Sequence, residues 1–133
     1  MNPLLFVSGT LLSTVDHPMS RRLAGQADLV GPATFQGRLY QVSWYPGLVD
    51  GAEGEVVHGE LHRLRDSEGA LACLDEFEGV THGTSSVTDP DDYERVEREV
   101  QTEAGRRTSW VYLYRGDWSQ LRQVSTGKWD PIR

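Results

Sequence analysis

Three carboxylates crowd the last turn of one apolar segment, Leu71-Ala72-Cys73-Leu74-Asp75-Glu76-Phe77-Glu78-Gly79. Helical spacing sets Leu71, Leu74 and Phe77 on one stripe, and Glu78, four residues after Leu74 and seven after Leu71, continues it. Asp75 and Glu76 point elsewhere. A carboxyl among leucines at the negative end of a helix dipole has its charged form disfavoured by burial and by the dipole alike. Both effects tune it upward, towards what a general acid/base needs. In a frayed last turn the same residue would be a hydrated surface acid. Spacing alone leaves both readings of Glu78 open.

A second stretch, Phe6-Val7-Ser8-Gly9-Thr10-Leu11-Leu12, leaves a buried strand through a glycine. Such a turn can aim successive backbone N–H groups into one concavity, which suits a carboxylate or a polarised carbonyl. An ordinary loop held by the Ser8 and Thr10 hydroxyls is the other reading.

Other chemistry is weighed and set aside. His58, Glu60 and His62 alternate, so a strand places them on one face, and all three are metal-ligand types. Val57, Gly59 and Leu61 claim the inward face, and alternate side chains of one strand stand too far apart for shared ligation. That face is expected in solvent, without a metal. Ser8 or Ser13 with Asp16 and His17 makes no triad, because sequence neighbours seldom reach that geometry and no nucleophile elbow is present. Cys73 lies inside a helical stretch among acids, which disfavours a thiolate and makes it a packing residue.

The elements that must position these residues follow from periodicity and breakers. Leu4–Val7 reads as a buried strand, and Asp16-His17-Pro18 caps a helix over about 19–27. From Leu29 to Leu64 the pattern predicts short strands punctuated by Gly31, Pro32, Gly37, Pro46 and Gly47. Gly59, on the inward face of a strand over 57–62, permits the close backbone approach that barrels use at bends. A second helix runs from Ser67 to Glu78 and Gly79 ends it. A hairpin follows, Tyr93–Thr102 with Thr108–Arg115, in which Tyr93 and Arg95 share one face and Val96 and Val100 the other. Tyr40, Tyr45, Trp110 and Tyr112 are expected as core or pocket wall, and Tyr93 either packs or lines the pocket. The fold expected is α+β: one domain over 1–133, a small mostly antiparallel β-barrel flanked by two short helices.

Composition narrows the partners. The 133 residues carry 20 acidic and 13 basic side chains, a formal charge of −7, which disfavours a phosphate backbone as partner. No apolar stretch approaches the roughly 20 residues of a membrane span, and Leu4–Val7 is too short for a signal-peptide core. Cys73 is the only cysteine, so no internal disulfide forms. A cytoplasmic protein acting on a small molecule is expected, with no nucleic-acid or membrane partner. Nothing in the sequence sets its oligomeric state.

The order of motifs resembles the gamma-glutamylcyclotransferase-like superfamily, in particular the short branch that includes gamma-glutamylamine cyclotransferase. The matching residues are Ser8-Gly9-Thr10-Leu11, Gly37-Arg38-Leu39-Tyr40, Tyr45-Pro46, Val57-His58-Gly59-Glu60-Leu61, Leu74-Asp75-Glu76-Phe77-Glu78-Gly79, Tyr93-Glu94-Arg95 and Trp110-Val111-Tyr112. Ser8 stands where the family usually has tyrosine. The resemblance implies a barrel flanked by helices that needs no metal or organic cofactor. It also implies release of 5-oxoproline from a gamma-glutamyl amine, amino acid or peptide, by attack of the substrate's own α-amine on its γ-carbonyl. The family's acid/base falls on Glu78. Its glutamyl cradle falls on Ser8, Gly9, Thr10 and Leu11. Apart from the resemblance, the strand residues Tyr40 and Tyr93 are candidate substrate-binding walls by their own placement. The alternative expectation is a non-catalytic small-molecule binding or interaction domain on the same fold, which the change at Ser8 favours.

Overall fold

The computed structural model describes residues 2–8, 18–41, 46–78, 80–81, 84–85, 93–115, 118–124 and 127, with backbone alone at 18–20, 75–78, 80–81 and 84–85. The elements are β1 (Leu4–Val7), α1 (Pro18–Gln26), β2 (Ala27–Gln41), β3 (Pro46–Asp50), β4 (Val56–Leu64) and α2 (Ser67–Glu78). They continue with β5 (Val80–Thr81), β6 (Thr84–Ser85), β7 (Tyr93–Thr102), β8 (Gly105–Tyr114) and β9 (Arg122–Gln123).

Five strands close a ring in the order β2-β4-β1-β8-β7, with β7 returning to β2. Every pairing is antiparallel except β1 with β8, which run parallel at Leu5↔Trp110. Closure comes at Ala33↔Thr102 and Thr34↔Gln101, so no barrel edge is left open there. The far half of β2 extends past the ring and carries β3 (Leu39↔Leu48) and β9 (Tyr40↔Gln123). The fold is the expected mostly antiparallel barrel with two helices. Among the described residues no helix is long and apolar enough to cross a membrane.

Alternation sorts the apolar side chains into two layers. Leu4, Phe6, Ala33, Phe35, Val57, Leu61, Val100, Val111 and Leu113 come from all five ring strands and no helix, which makes them the barrel interior. Leu5, Val7, Leu64, Tyr93, Tyr112 and Tyr114 point the other way, where Leu23 of α1 and Ala70, Leu71 and Leu74 of α2 cover them. β1 is buried on both faces, hence its unbroken apolar run. Gly59 lets β1 and β4 pack closely: a Cβ there would lie 2.2 Å from the Val7 carbonyl oxygen. The hairpin turn needs a glycine for another reason, since Gly105 has a φ of 109°.

Two expectations are corrected. The region from Leu29 to Leu64 does hold several strands, β2, β3 and β4, but its first part, broken in the sequence reading at Gly31, Pro32 and Gly37, is one 15-residue strand from Ala27 to Gln41. Its Gly31-Pro32 pair does not end it but sits at a bulge, where the register to β4 shifts between Leu29 and Gly31. The second correction concerns His62, expected in solvent and found buried at 3% exposure. It lies opposite Leu5 and shares a face with Leu64, and that outer face of the barrel is the one the helices cover.

Candidate functional site

The described strand β1 delivers Ser8. The strand is fixed on one side by β4 (Val7↔Glu60) and on the other by β8, and Ser8, directly after Val7, is itself buried. Gly9, Thr10 and Leu11 lie outside the described residues, as does Tyr45.

Helix α2 delivers Glu78. Asp66 starts it: the Asp66 carboxylate accepts the Gly69 N–H at 3.3 Å and the Asp66 carbonyl accepts the Ala70 N–H at 2.9 Å. Arg65, just before, donates to Asp28 at 2.9 Å and to the carbonyls of Gly25 and Ala27, tying the start of α2 to the α1–β2 junction. Leu71 and Leu74 are each 1% exposed, so this part of the stripe faces the barrel, while the side chains of Phe77 and Glu78 lie outside the described residues. Glu78 is the last helical residue, and the last turn contains no basic side chain. No intrahelical cation therefore offsets the three acids gathered there.

Tyr40 and Tyr93 belong to the same apolar layer as Leu71, Leu74 and Val7. The fold thus gathers both predicted tyrosine walls, the residue preceding Ser8 and the helix leading to Glu78 around one cluster. Tyr93 is anchored at its hydroxyl, which donates to the Pro46 carbonyl at 2.7 Å, while its ring meets Tyr114 edge-on at 5.6 Å. Tyr40 accepts a hydrogen bond from Arg38 Nη1 at 2.9 Å and stacks on Trp118 at 5.0 Å. The Arg38 guanidinium lies 4.7 Å over the Trp118 ring.

The sequence motifs include Arg38 without giving it a role, and they leave out Trp118. The two residues are 80 positions apart in the chain, and the pairing of β9 with β2 is what carries the 118–124 segment alongside. Tyr114 was visible only as part of a strong strand signal.

The remaining candidates have structural surroundings. His62 Nε2 meets Glu60 at 3.2 Å, while its buried Nδ1 has no hydrogen-bond partner among the described residues. Among those residues no group of three or more His, Cys, Asp and Glu side chains converges as a metal site would require. Cys73 is half-buried in α2. Arg95 stacks 4.4 Å over Trp110. Arg98 grips Asp50 with two bonds of 3.0 Å, and hydrogen bonding to that carboxylate holds its guanidinium above the usual arginine value. With the Tyr93–Pro46 bond, this pair fastens β3 to β7, which no backbone pairing joins among the described residues.

Comparison with known proteins adds the last observations. The sequence profile of the family described as gamma-glutamyl cyclotransferase, AIG2-like, matches residues 5–131. No curated protein matches the chain. Among solved structures, YkqA from Bacillus subtilis is similar with a TM-score of 0.70 at 24% identity, over 97% of this chain and 40% of that one. This chain therefore spans about two-fifths of the Bacillus protein's length. An AIG2-like protein from Mus musculus is similar with a TM-score of 0.70 at 21% identity, over 96% of this chain and 88% of that one. The protein ytfP from Escherichia coli is 28% identical with a TM-score of 0.58, over 95% of both chains. These likenesses establish the shared fold, and family and fold together support a gamma-glutamyl cyclotransferase-like activity in general.

Proposed function

Because this chain belongs to the gamma-glutamyl cyclotransferase, AIG2-like family, we propose that it releases 5-oxoproline from a gamma-glutamyl amine, amino acid or peptide, with Glu78 as the acid/base. The observation that supports this reading is the convergence on one apolar layer: Val7, which precedes Ser8, Leu71 and Leu74, which precede Glu78 on α2, and Tyr40 and Tyr93 all belong to it.

The chemistry needs little machinery. Glu78 takes a proton from the substrate's α-ammonium, freeing the amine to attack its own γ-carbonyl carbon. The new C–N bond closes the five-membered ring and leaves charge on the carbonyl oxygen. Backbone N–H groups of the Ser8-Gly9-Thr10-Leu11 turn would stabilise that oxyanion and hold the α-carboxylate. As the original amide C–N bond breaks, Glu78 gives its proton to the departing nitrogen and takes the second proton from the ring nitrogen, so the lactam keeps one N–H, the amine leaves neutral and the carboxyl's proton passes to solvent. Nucleophile and electrophile belong to one molecule, so much of the acceleration comes from holding it folded. On this reading no metal or organic cofactor is required.

The competing reading is a binding domain that kept the fold without the reaction, and the serine at position 8 is the residue that favours it. A panel of gamma-glutamyl compounds assayed for free 5-oxoproline, with wild type and Glu78→Gln, separates the two. Release by wild type, lowered by at least about 100-fold in Glu78→Gln, is the expected outcome. Wild type no faster than the variant on every compound, in a protein that still binds them, would establish the binding domain.

A further inference from the structure

We propose that Arg38 receives a carboxylate on the departing half of the substrate, so that the site favours gamma-glutamyl amino acids and peptides over neutral gamma-glutamyl amines; this rests on the cyclotransferase reading above.

The argument begins with how the guanidinium is held. Its side chain is only 26% exposed, with its planar head against the Trp118 ring and Nη1 bound to the Tyr40 hydroxyl. Stacking and that one bond fix its orientation before any ligand arrives, which removes most of the ordering cost a long flexible cation would incur. Its hydrogen-bonding capacity, however, is largely unspent. Among the described residues Nη2 makes no hydrogen bond, and it is not one of the buried unpartnered atoms, so its N–H groups face solvent.

The nearest acid does not use that capacity. Glu55 Oε2 comes to 3.5 Å from Nε, yet Nε is buried without a hydrogen bond, and Glu55 Oε1 is taken by the Ala52 N–H at 2.7 Å. What remains is the outer fork of Nη1 and Nη2, the geometry that matches a carboxylate.

Its position relates it to the proposed site. The Tyr40 ring that anchors Arg38 lies in the layer shared with Tyr93, Leu71 and Leu74. The proposal places the glutamyl group towards Ser8 and the departing half along Tyr40, with its carboxylate at this fork. Neutral amines would leave the fork hydrated and gain nothing from it.

The test uses gamma-glutamyl-L-alanine and its C-terminal amide, which differ in one charge. Wild type should show a kcat/KM for the acid greater by on the order of 10- to 100-fold. Arg38→Met should lose that preference, its kcat/KM falling more on the acid than on the amide. Arg38→Lys should fall between. Equal rates on both compounds in wild type, or an equal drop on both in Arg38→Met with an unchanged melting temperature, would overturn the proposal. If neither compound releases 5-oxoproline faster than with Glu78→Gln, the cyclotransferase reading fails by itself. Calorimetric titration of Glu78→Gln with the two compounds then decides the role of Arg38. Tighter binding of the acid, lost in the Glu78→Gln/Arg38→Met double variant, supports it, and equal binding rejects it.

Discussion

Replacing Gly59 by alanine adds one methyl group where the barrel has no room. The new Cβ would stand 2.2 Å from the Val7 carbonyl oxygen and 2.7 Å from Phe6 Cζ. The phenyl ring can turn aside, but the carbonyl is part of a strand clamped between β4 and β8. The contact is roughly 1 Å too short for carbon against oxygen, so the end of β1 must lift or β4 must bow. Overpacking of this kind costs about 1–3 kcal/mol. For a chain of this size that lowers the melting temperature by on the order of 5–12 °C. Ser8 follows Val7 directly, so the displacement passes into the proposed glutamyl cradle, where a misplacement of about 1 Å costs on the order of 100-fold in rate. Urea unfolding followed by tryptophan fluorescence, with 5-oxoproline release measured below the transition, reads both effects. Gly25→Ala is the matched control: nothing lies within 4 Å of a Cβ there, and the residue sits in α1. Alanine at that position should stabilise by a few tenths to about 1 kcal/mol. If Gly59→Ala unfolds at the wild-type midpoint and keeps full activity, the close approach of β4 to β1 does not constrain the site.

Leu74→Ala should cost about 2–5 kcal/mol in urea unfolding, because the side chain is 1% exposed and α2 rests on it. Activity should fall at temperatures where the variant is still folded, since Leu74 lies one turn before Glu78. Ser109→Ala should raise the melting temperature, by the equivalent of up to about 1–2 kcal/mol. Ser109 is fully buried on the barrel-interior side of β8, and its hydroxyl has no partner among the described residues. A lowered melting temperature would mean the hydroxyl is satisfied after all.

Much of this was legible in the chain because the strongest signals were also the doubly buried ones. Leu4–Val7 reads as a strand precisely where both barrel faces are covered, and Ser67–Glu78 reads as a helix because one stripe alone is apolar. The hairpin of β7 and β8 followed from alternation, with Tyr93 facing the helices and Val100 the interior. The misreadings have physical causes. Gly31, Pro32 and Gly37 look like strand breakers when each residue is judged alone. In β2 they serve instead a bulge and a close approach, which only the partner strands reveal. Alternation places His62 on the outer face but does not say that helices cover that face. Arg38 and Trp118 meet through strand pairing across 80 residues, and local pattern carries no trace of that.

The parallel pairing of β1 with β8 also dictates a timetable. Leu5 finds its partner in Trp110, more than a hundred residues later in the chain, and the ring closes only when Thr102 reaches Ala33. Helices and hairpins can form locally within microseconds, but this barrel must wait for its most distant contacts, and such topologies fold slowly. During synthesis β1 leaves the ribosome before β8, so its apolar strand has a backbone edge that its own partner cannot yet cover. Until Tyr114 has emerged, that strand is a hazard for mispairing with its own kind, and the nascent chain is the state in which this protein most needs protection.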